Sequence, residues 1–158
     1  MKAEKKRGSG GRGKTRRVLV IHGPNLNMLG RREPEKYGRD TLAEIDDAIS
    51  KRGREFGLAV ECFQSNSEGA IVDRIQALVD AEVSGLIINP AAYTHTSVAI
   101  RDALLLLKIP VVEVHLSNIY NREAFRRESM MADVVTGQIA GFGKTGYLMA
   151  LMAMNEMI

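Results

Sequence analysis

Short apolar runs rich in β-branched residues recur along this chain, each closed by Gly, Pro or Asn and followed by a segment with a helical repeat. Val18-Leu19-Val20-Ile21 stops at His22-Gly23-Pro24, which predicts a buried strand and then a loop. Residues 58–63 and 85–89 predict a second and a third strand, residues 110–114 a fourth and residues 134–139 a fifth. Helical signals fill the gaps. Thr41 with Glu44 three positions on is a capping box; Leu42, Ile45, Ile49 and Phe56 then fall near one face, and Gly57 closes the helix. Ser65 with Glu68 repeats the box before Ile71, Ile75, Leu78 and Val79. Thr96 or Ser97 caps a helix running through the leucines at 104–107, and residues 147–157 form the last helix. Residues 25–39 are polar and interrupted by Gly30, Pro34 and Gly38, too broken for regular structure.

Strand–helix alternation with short connections predicts an α/β fold with a doubly wound parallel sheet. Five strands in a domain of this size suggest the flavodoxin-like order 2-1-3-4-5. The 158 residues suit one domain without internal repeats. The leucine run and Leu148-Met-Ala-Leu-Met-Ala-Met154 are apolar on more than one helix face, a surplus that contacts between copies would cover.

Charge changes the picture only at one end. The pI is about 9.1, yet residues 1–17 hold eight Lys and Arg against the single acid Glu4. The remaining residues hold 14 basic side chains against 18 acidic ones, a balance of −4. The basic character thus belongs to a Gly-rich leader, expected to be disordered, and the folded domain is residues 18–158. No nucleic-acid partner is expected for that domain. The apolar run after the leader is too short for a secretory signal, and no stretch is long enough to span a bilayer; a cytoplasmic location is expected. Cys62, the one cysteine, excludes an internal disulfide and a Cys-based zinc site.

In open α/β sheets ligands bind beyond the carboxyl ends of the strands. Those positions carry His22-Gly-Pro-Asn25, Asn89 with Tyr93 and His95, and His115-Leu-Ser117-Asn118, so all three histidines fall at one rim. Arg31, Arg32, Glu33 and Tyr37 follow the first strand, and Arg122, Arg126 and Arg127 the fourth. Cationic groups among amides and imidazoles suit an anionic, polyhydroxylated small molecule. Glu113 lies inside an apolar strand two residues before His115, so the side chains share a face; the carboxylate can orient the imidazole and raise its pKa, making a general acid. Two rival readings are a three-histidine metal site, as in a metal-dependent hydrolase, and a flavodoxin-like nucleotide-binding module. The second lacks a glycine-rich phosphate loop after the first strand. Gly141-Phe-Gly143-Lys144-Thr145 falls after the last strand, and the P-loop spacing would put its first Gly where Gln138 stands.

Several of these segments, taken together, resemble the type II 3-dehydroquinate dehydratases. They are Val20-Ile-His-Gly-Pro-Asn-Leu-Asn-Met-Leu-Gly-Arg-Arg-Glu-Pro34 with Tyr37-Gly38, Gln64-Ser-Asn-Ser-Glu-Gly69, Asn89-Pro-Ala-Ala-Tyr-Thr-His-Thr-Ser97, Glu113-Val-His-Leu-Ser-Asn118 and Arg122-Glu-Ala-Phe-Arg-Arg127. The resemblance spans residues 18–151, with the motifs in order. Family members usually carry Asn where this chain has His22.

The resemblance implies a hydro-lyase acting on a carboxylated cyclic hydroxy-ketone without metal or cofactor. It implies Tyr37 as the base that takes the proton beside the carbonyl, with Arg32 favouring its phenolate; a free tyrosine has a pKa of about 10. It implies Asn25 at the enolate, and His115 backed by Glu113 as the acid for the departing hydroxyl. Leu116 and Ser117 would hold the carboxylate through backbone groups, and Asn89, His95 and Arg126 would contact hydroxyls and carboxylate. Asp102 would reach a neighbouring subunit's site, which implies a homo-oligomer, a dodecamer by analogy. The pathway would be aromatic biosynthesis through shikimate, or quinate breakdown. The segment from Arg32 to Tyr37, with glycines on both sides, is expected to act as a lid.

Overall fold

Five short strands build one sheet, and all of them leave it at the same edge. The computed structural model describes residues 15–31 and 33–158. The strands are β1 (Arg16–His22), β2 (Leu58–Gln64), β3 (Gly85–Asn89), β4 (Val111–His115) and β5 (Gly137–Ala140). All pairings are parallel, in the order β2-β1-β3-β4-β5, as the strand–helix alternation predicts. β3 and β4 are buried at every position, because helices cover both faces and no position meets water.

Alternation along the strands divides the core in two. Val18, Val20, Ile87, Val112 and Val114 pack with α2 (Leu42–Glu55) and α5 (Lys144–Met157). Leu19, Ile21, Leu86, Ile88 and Val111 pack with α3 (Glu68–Gln76) and α4 (Val98–Leu104). The capping box of α2 is present: Glu44 N–H donates to Thr41 Oγ1 at 3.3 Å and Thr41 N–H to the Glu44 carboxylate at 2.7 Å.

Several boundaries differ from the sequence pattern. Arg16 and Arg17, expected in the leader, belong to β1 and pair with Leu58 and Ala59; the Arg16 guanidinium donates to Phe56 O at 2.7 Å. Residues 1–14 of that leader lie outside the described residues. The cap of α3 is Ser67, whose Oγ accepts from Ala70 N–H, while Ser65 Oγ accepts from Ser67 N–H. β5 begins at Gly137; Val134 and Val135 sit in a turn, half-buried against the second core. α4 stops at Leu104, leaving Leu105 and Leu106 60% and 51% exposed. Residues 25–39 hold a 3-10 turn at Leu26–Met28 and a helical turn, α1 (Pro34–Tyr37), with Pro34 in its first turn. The glycine-rich stretch after β5 leads into α5 at Lys144, whose ammonium pairs with Asp40 at 2.9 Å. Among the described residues no helix is long and apolar enough to cross a membrane.

Candidate active site

Because all five strands are parallel, the residues that leave them gather at one end of the sheet, and a cavity of about 150 Å³ opens there. Asn25 enters it from the loop after β1, Tyr37 from α1, Asn89 and His95 from beyond β3, and His115, Leu116, Ser117 and Arg126 from beyond β4. Glu113 stands behind His115. Asp102 is exposed on α4 and does not line the cavity. Arg32 lies outside the described residues.

Glu113 is fully buried, and its carboxylate accepts three hydrogen bonds: from His115 Nε2 at 2.6 Å, Ser129 Oγ at 2.7 Å and Gln138 Nε2 at 2.6 Å. Burial alone would push this carboxyl up, but the bonds from His115, Ser129 and Gln138 outweigh it and hold the pKa below the usual range. An ionised Glu113 accepts the Nε2 proton of His115 and leaves Nδ1 for the cavity. His95 is fixed the other way round. Its Nδ1 donates to Glu128 O at 2.7 Å, leaving Nε2 free, and burial lowers its pKa against that bond, which favours the neutral ring.

Asn25 holds a left-handed backbone, φ 66°, and its N–H donates to Asn66 Oδ1 at 2.9 Å. Asn tolerates that conformation better than most residues. Tyr37 is half-buried, and the Arg122 guanidinium stacks over its ring, 5.5 Å from the centroid. Arg122 also donates to Ser117 Oγ at 3.2 Å. Arg126 Nε is buried without a hydrogen-bond partner; it lies 3.3 Å from Glu123 Oε2 in poor alignment. Two guanidinium groups and two imidazoles around this cavity suit an anion.

His22 departs from the rim reading. It is fully buried and does not line the cavity with His95 and His115. Its Nε2 meets Asp46 Oδ1 at 2.8 Å and its Nδ1 meets Tyr147 Oη at 2.9 Å. The three histidines therefore do not converge as a metal site would require. His22, Asp46 and Cys62 do lie within 4.8 Å of one another; burial, with the Asp46 carboxylate nearby, pushes the Cys62 thiol up.

A family model described as Dehydroquinase class II matches residues 16–155. The chain belongs to that family. Its relatives include a 3-dehydroquinate dehydratase of Geotalea daltonii, 57% identical over 87% of this chain and 94% of the relative. A 3-dehydroquinate dehydratase 1 of Ralstonia nicotianae is 58% identical over 85% of this chain and 86% of its own length. The crystal structure of the type II dehydroquinase from Butyrivibrio crossotus superposes with a TM-score of 0.87 at 46% identity, covering 89% of this chain and 98% of that one. Two residues near the site have contacts that sequence reasoning did not assign. Arg122 was legible only as one of three cations in a polar segment; its spacing from Tyr37 carries no contact signal. Tyr147, whose hydroxyl bonds Asn89, reads in sequence as one more residue of an apolar helix.

Proposed function

We propose that this chain is a 3-dehydroquinate dehydratase that eliminates water through an enolate. The observation that carries the reading is the buried Glu113–His115 pair facing Tyr37 and Arg126 across one cavity. Tyr37, as phenolate, takes the proton beside the ketone, with Arg32 as the cation that the family resemblance pairs with it. The electron pair moves onto the carbonyl oxygen, where Asn25, through a water, stabilises the negative charge. The enolate then re-forms the ketone, its electrons make the new carbon–carbon double bond, and the hydroxyl leaves with a proton from His115 as water. Glu113 holds the imidazole for that transfer and stabilises it when charged.

Substrate is held from three sides. Arg126 and the backbone of Leu116 and Ser117 take the carboxylate, and Asn89 and His95 take hydroxyls. His95 suits a hydroxyl donor because its free Nε2 is an acceptor in the neutral ring. No step calls for metal or cofactor.

The enzyme works as a homo-oligomer, a dodecamer by analogy, with Asp102 completing a neighbour's site. Exposed Val98, Leu105, Leu106 and Met152, all at least half exposed, supply apolar surface for such contacts. Its setting is the cytoplasm, in the shikimate route or quinate breakdown, and residues 1–15 act as a leader to a catalytic domain that begins with β1 at Arg16. The test is ultraviolet detection of the conjugated ketone from 3-dehydroquinate, in chelator, for wild type and Tyr37→Phe. Absorbance growth in wild type that the variant nearly abolishes is expected. An inactive, properly assembled wild type would refute the function, and an active variant the role of Tyr37.

A further inference from the structure

Beneath the cavity a line of buried polar side chains runs from α2 to the end of β3. Asp46 Oδ1 lies 2.8 Å from His22 Nε2, and His22 Nδ1 lies 2.9 Å from Tyr147 Oη. Asn89 Nδ2 lies 3.0 Å from the same Tyr147 oxygen. His22 and Tyr147 are wholly buried and Asn89 is 3% exposed, so water does not complete the bonds at Tyr147; Asp46, 32% exposed, ends the line at the surface.

The direction of each proton follows from donor and acceptor inventory. Asn89 Oδ1 accepts from Ala91 N–H at 3.1 Å, so the atom facing Tyr147 is the amide nitrogen, which can only donate. The Tyr147 oxygen is then an acceptor on that side, and its own hydrogen has His22 Nδ1 as its partner. Burial keeps that hydroxyl protonated. Nδ1 must therefore be bare, and the ring proton sits on Nε2, aimed at the Asp46 carboxylate. Each hydrogen between these four groups has an acceptor, and the line runs one way from Asn89 to Asp46.

We propose that Tyr147 and His22 are positioning residues of the active site: their one-way hydrogen-bond line fixes the amide plane of Asn89 and, through it, the Ala91 turn. The inference rests on the reading of Asn89 as a substrate contact. Asn89 Nδ2 carries two hydrogens; Tyr147 takes one, and the other is left for a substrate oxygen. Ala91 lines the cavity at φ 52°, a left-handed conformation that a non-glycine residue keeps only where its surroundings over-determine it. The Asn89 carbonyl on Ala91 N–H supplies that restraint. Without Tyr147 the amide is free to turn over, which misplaces the donor and releases the turn together.

Steady-state kinetics with 3-dehydroquinate test this in Tyr147→Phe, His22→Asn, Asn89→Ala and the double variant Tyr147→Phe/Asn89→Ala, with melting temperatures alongside. Tyr147→Phe is expected to raise KM about tenfold with kcat held within about threefold. His22→Asn, whose Oδ1 can take the Tyr147 hydrogen in place of Nδ1, is expected to keep KM near the wild-type value. The double variant is expected to be no worse than Asn89→Ala alone. Additive losses, or a Tyr147→Phe enzyme that melts earlier with unchanged KM, overturn the positioning role while leaving Asn89 as a contact. A silent Asn89→Ala overturns the contact and this role with it. Nitrogen-15 spectra of the His22 ring are independent of turnover: a protonated Nε2 with a bare Nδ1 supports the line, and any other protonation pattern overturns it.

Discussion

The cavity has two unlike walls. The sheet-side wall, formed by the ends of β3 and β4, is buried and held by hydrogen bonds: Glu113, His115 and Asn89 are at most 6% exposed, and each side chain bonds to another. The loop-side wall, residues 25–39, carries Tyr37 on a single helical turn between Gly30 and Gly38, both near φ +84°. Its side chains are mostly exposed, and its internal bonds are turn bonds such as Gly38 N–H to Pro34 O at 2.9 Å. One wall is preorganised by the core; the other is anchored to it through Leu26 and Leu29 and is otherwise held by turns. The proposed elimination, which must admit substrate and then exclude water, would use both properties.

Substitutions on the two walls should separate chemistry from stability. Tyr37→Phe should lower kcat by about a thousandfold or more in the ultraviolet assay and leave the melting temperature unchanged, because the lost hydroxyl is not part of the core. Glu113→Ala should damage both. It leaves the buried His115 ring and the partly covered Ser129 and Gln138 donors without their acceptor, which costs about 1–3 kcal/mol in denaturant unfolding, and frees His115 to turn, cutting kcat roughly a hundredfold. A Glu113→Ala enzyme of native stability would erase the contrast between the walls.

The next effect concerns the joint between β1 and β3. A Cβ on Gly23 would lie 2.4 Å from Pro90 O, a backbone atom that cannot swing aside, so Gly23→Ala should cost about 1–3 kcal/mol by chemical unfolding. Acid sharpens the comparison further. Glu113 has a folded pKa below its ordinary 4.5, so it contributes stability in full above about 4.5, and that contribution fades as pH falls through the lower folded value. Melting scans below pH 4.5 should show this loss in wild type and a flatter profile in Glu113→Gln. The smallest signal lies in the loop: hydrogen exchange of residues 30–39 should slow when a carboxylated ring acid binds, while β3 and β4 stay protected throughout.

What the sequence made legible follows the same division. The buried strands announce themselves because Val18-Leu-Val-Ile21 and Gly85-Leu-Ile-Ile-Asn89 leave no polar position for solvent, and Thr41 with Glu44 marks a helix start through local bonding alone. Glu113 with His115 was readable because a two-residue spacing on a strand sets a shared face. The missed features depend on tertiary contacts. Arg16 and Arg17 look like leader because charge hides strand pairing, and Val134-Val135 look like strand because burial in a turn leaves the same apolar signature. His22 sits at the expected rim, but strand alternation and the reach of Tyr147 turn its ring beneath the cavity, and no local pattern encodes a partner 125 residues away.

That separation has a consequence during synthesis. Tyr147 lies on the last helix, and the same helix end receives the Arg16 guanidinium at Ile158 O, 3.4 Å away, so the start and finish of the described chain close on one another. A ribosome that has delivered all five strands still holds a polypeptide whose β3–β5 face is uncovered on that side and whose Asn89 lacks its tyrosine. Folding to the competent state therefore waits for α5 to clear the exit tunnel.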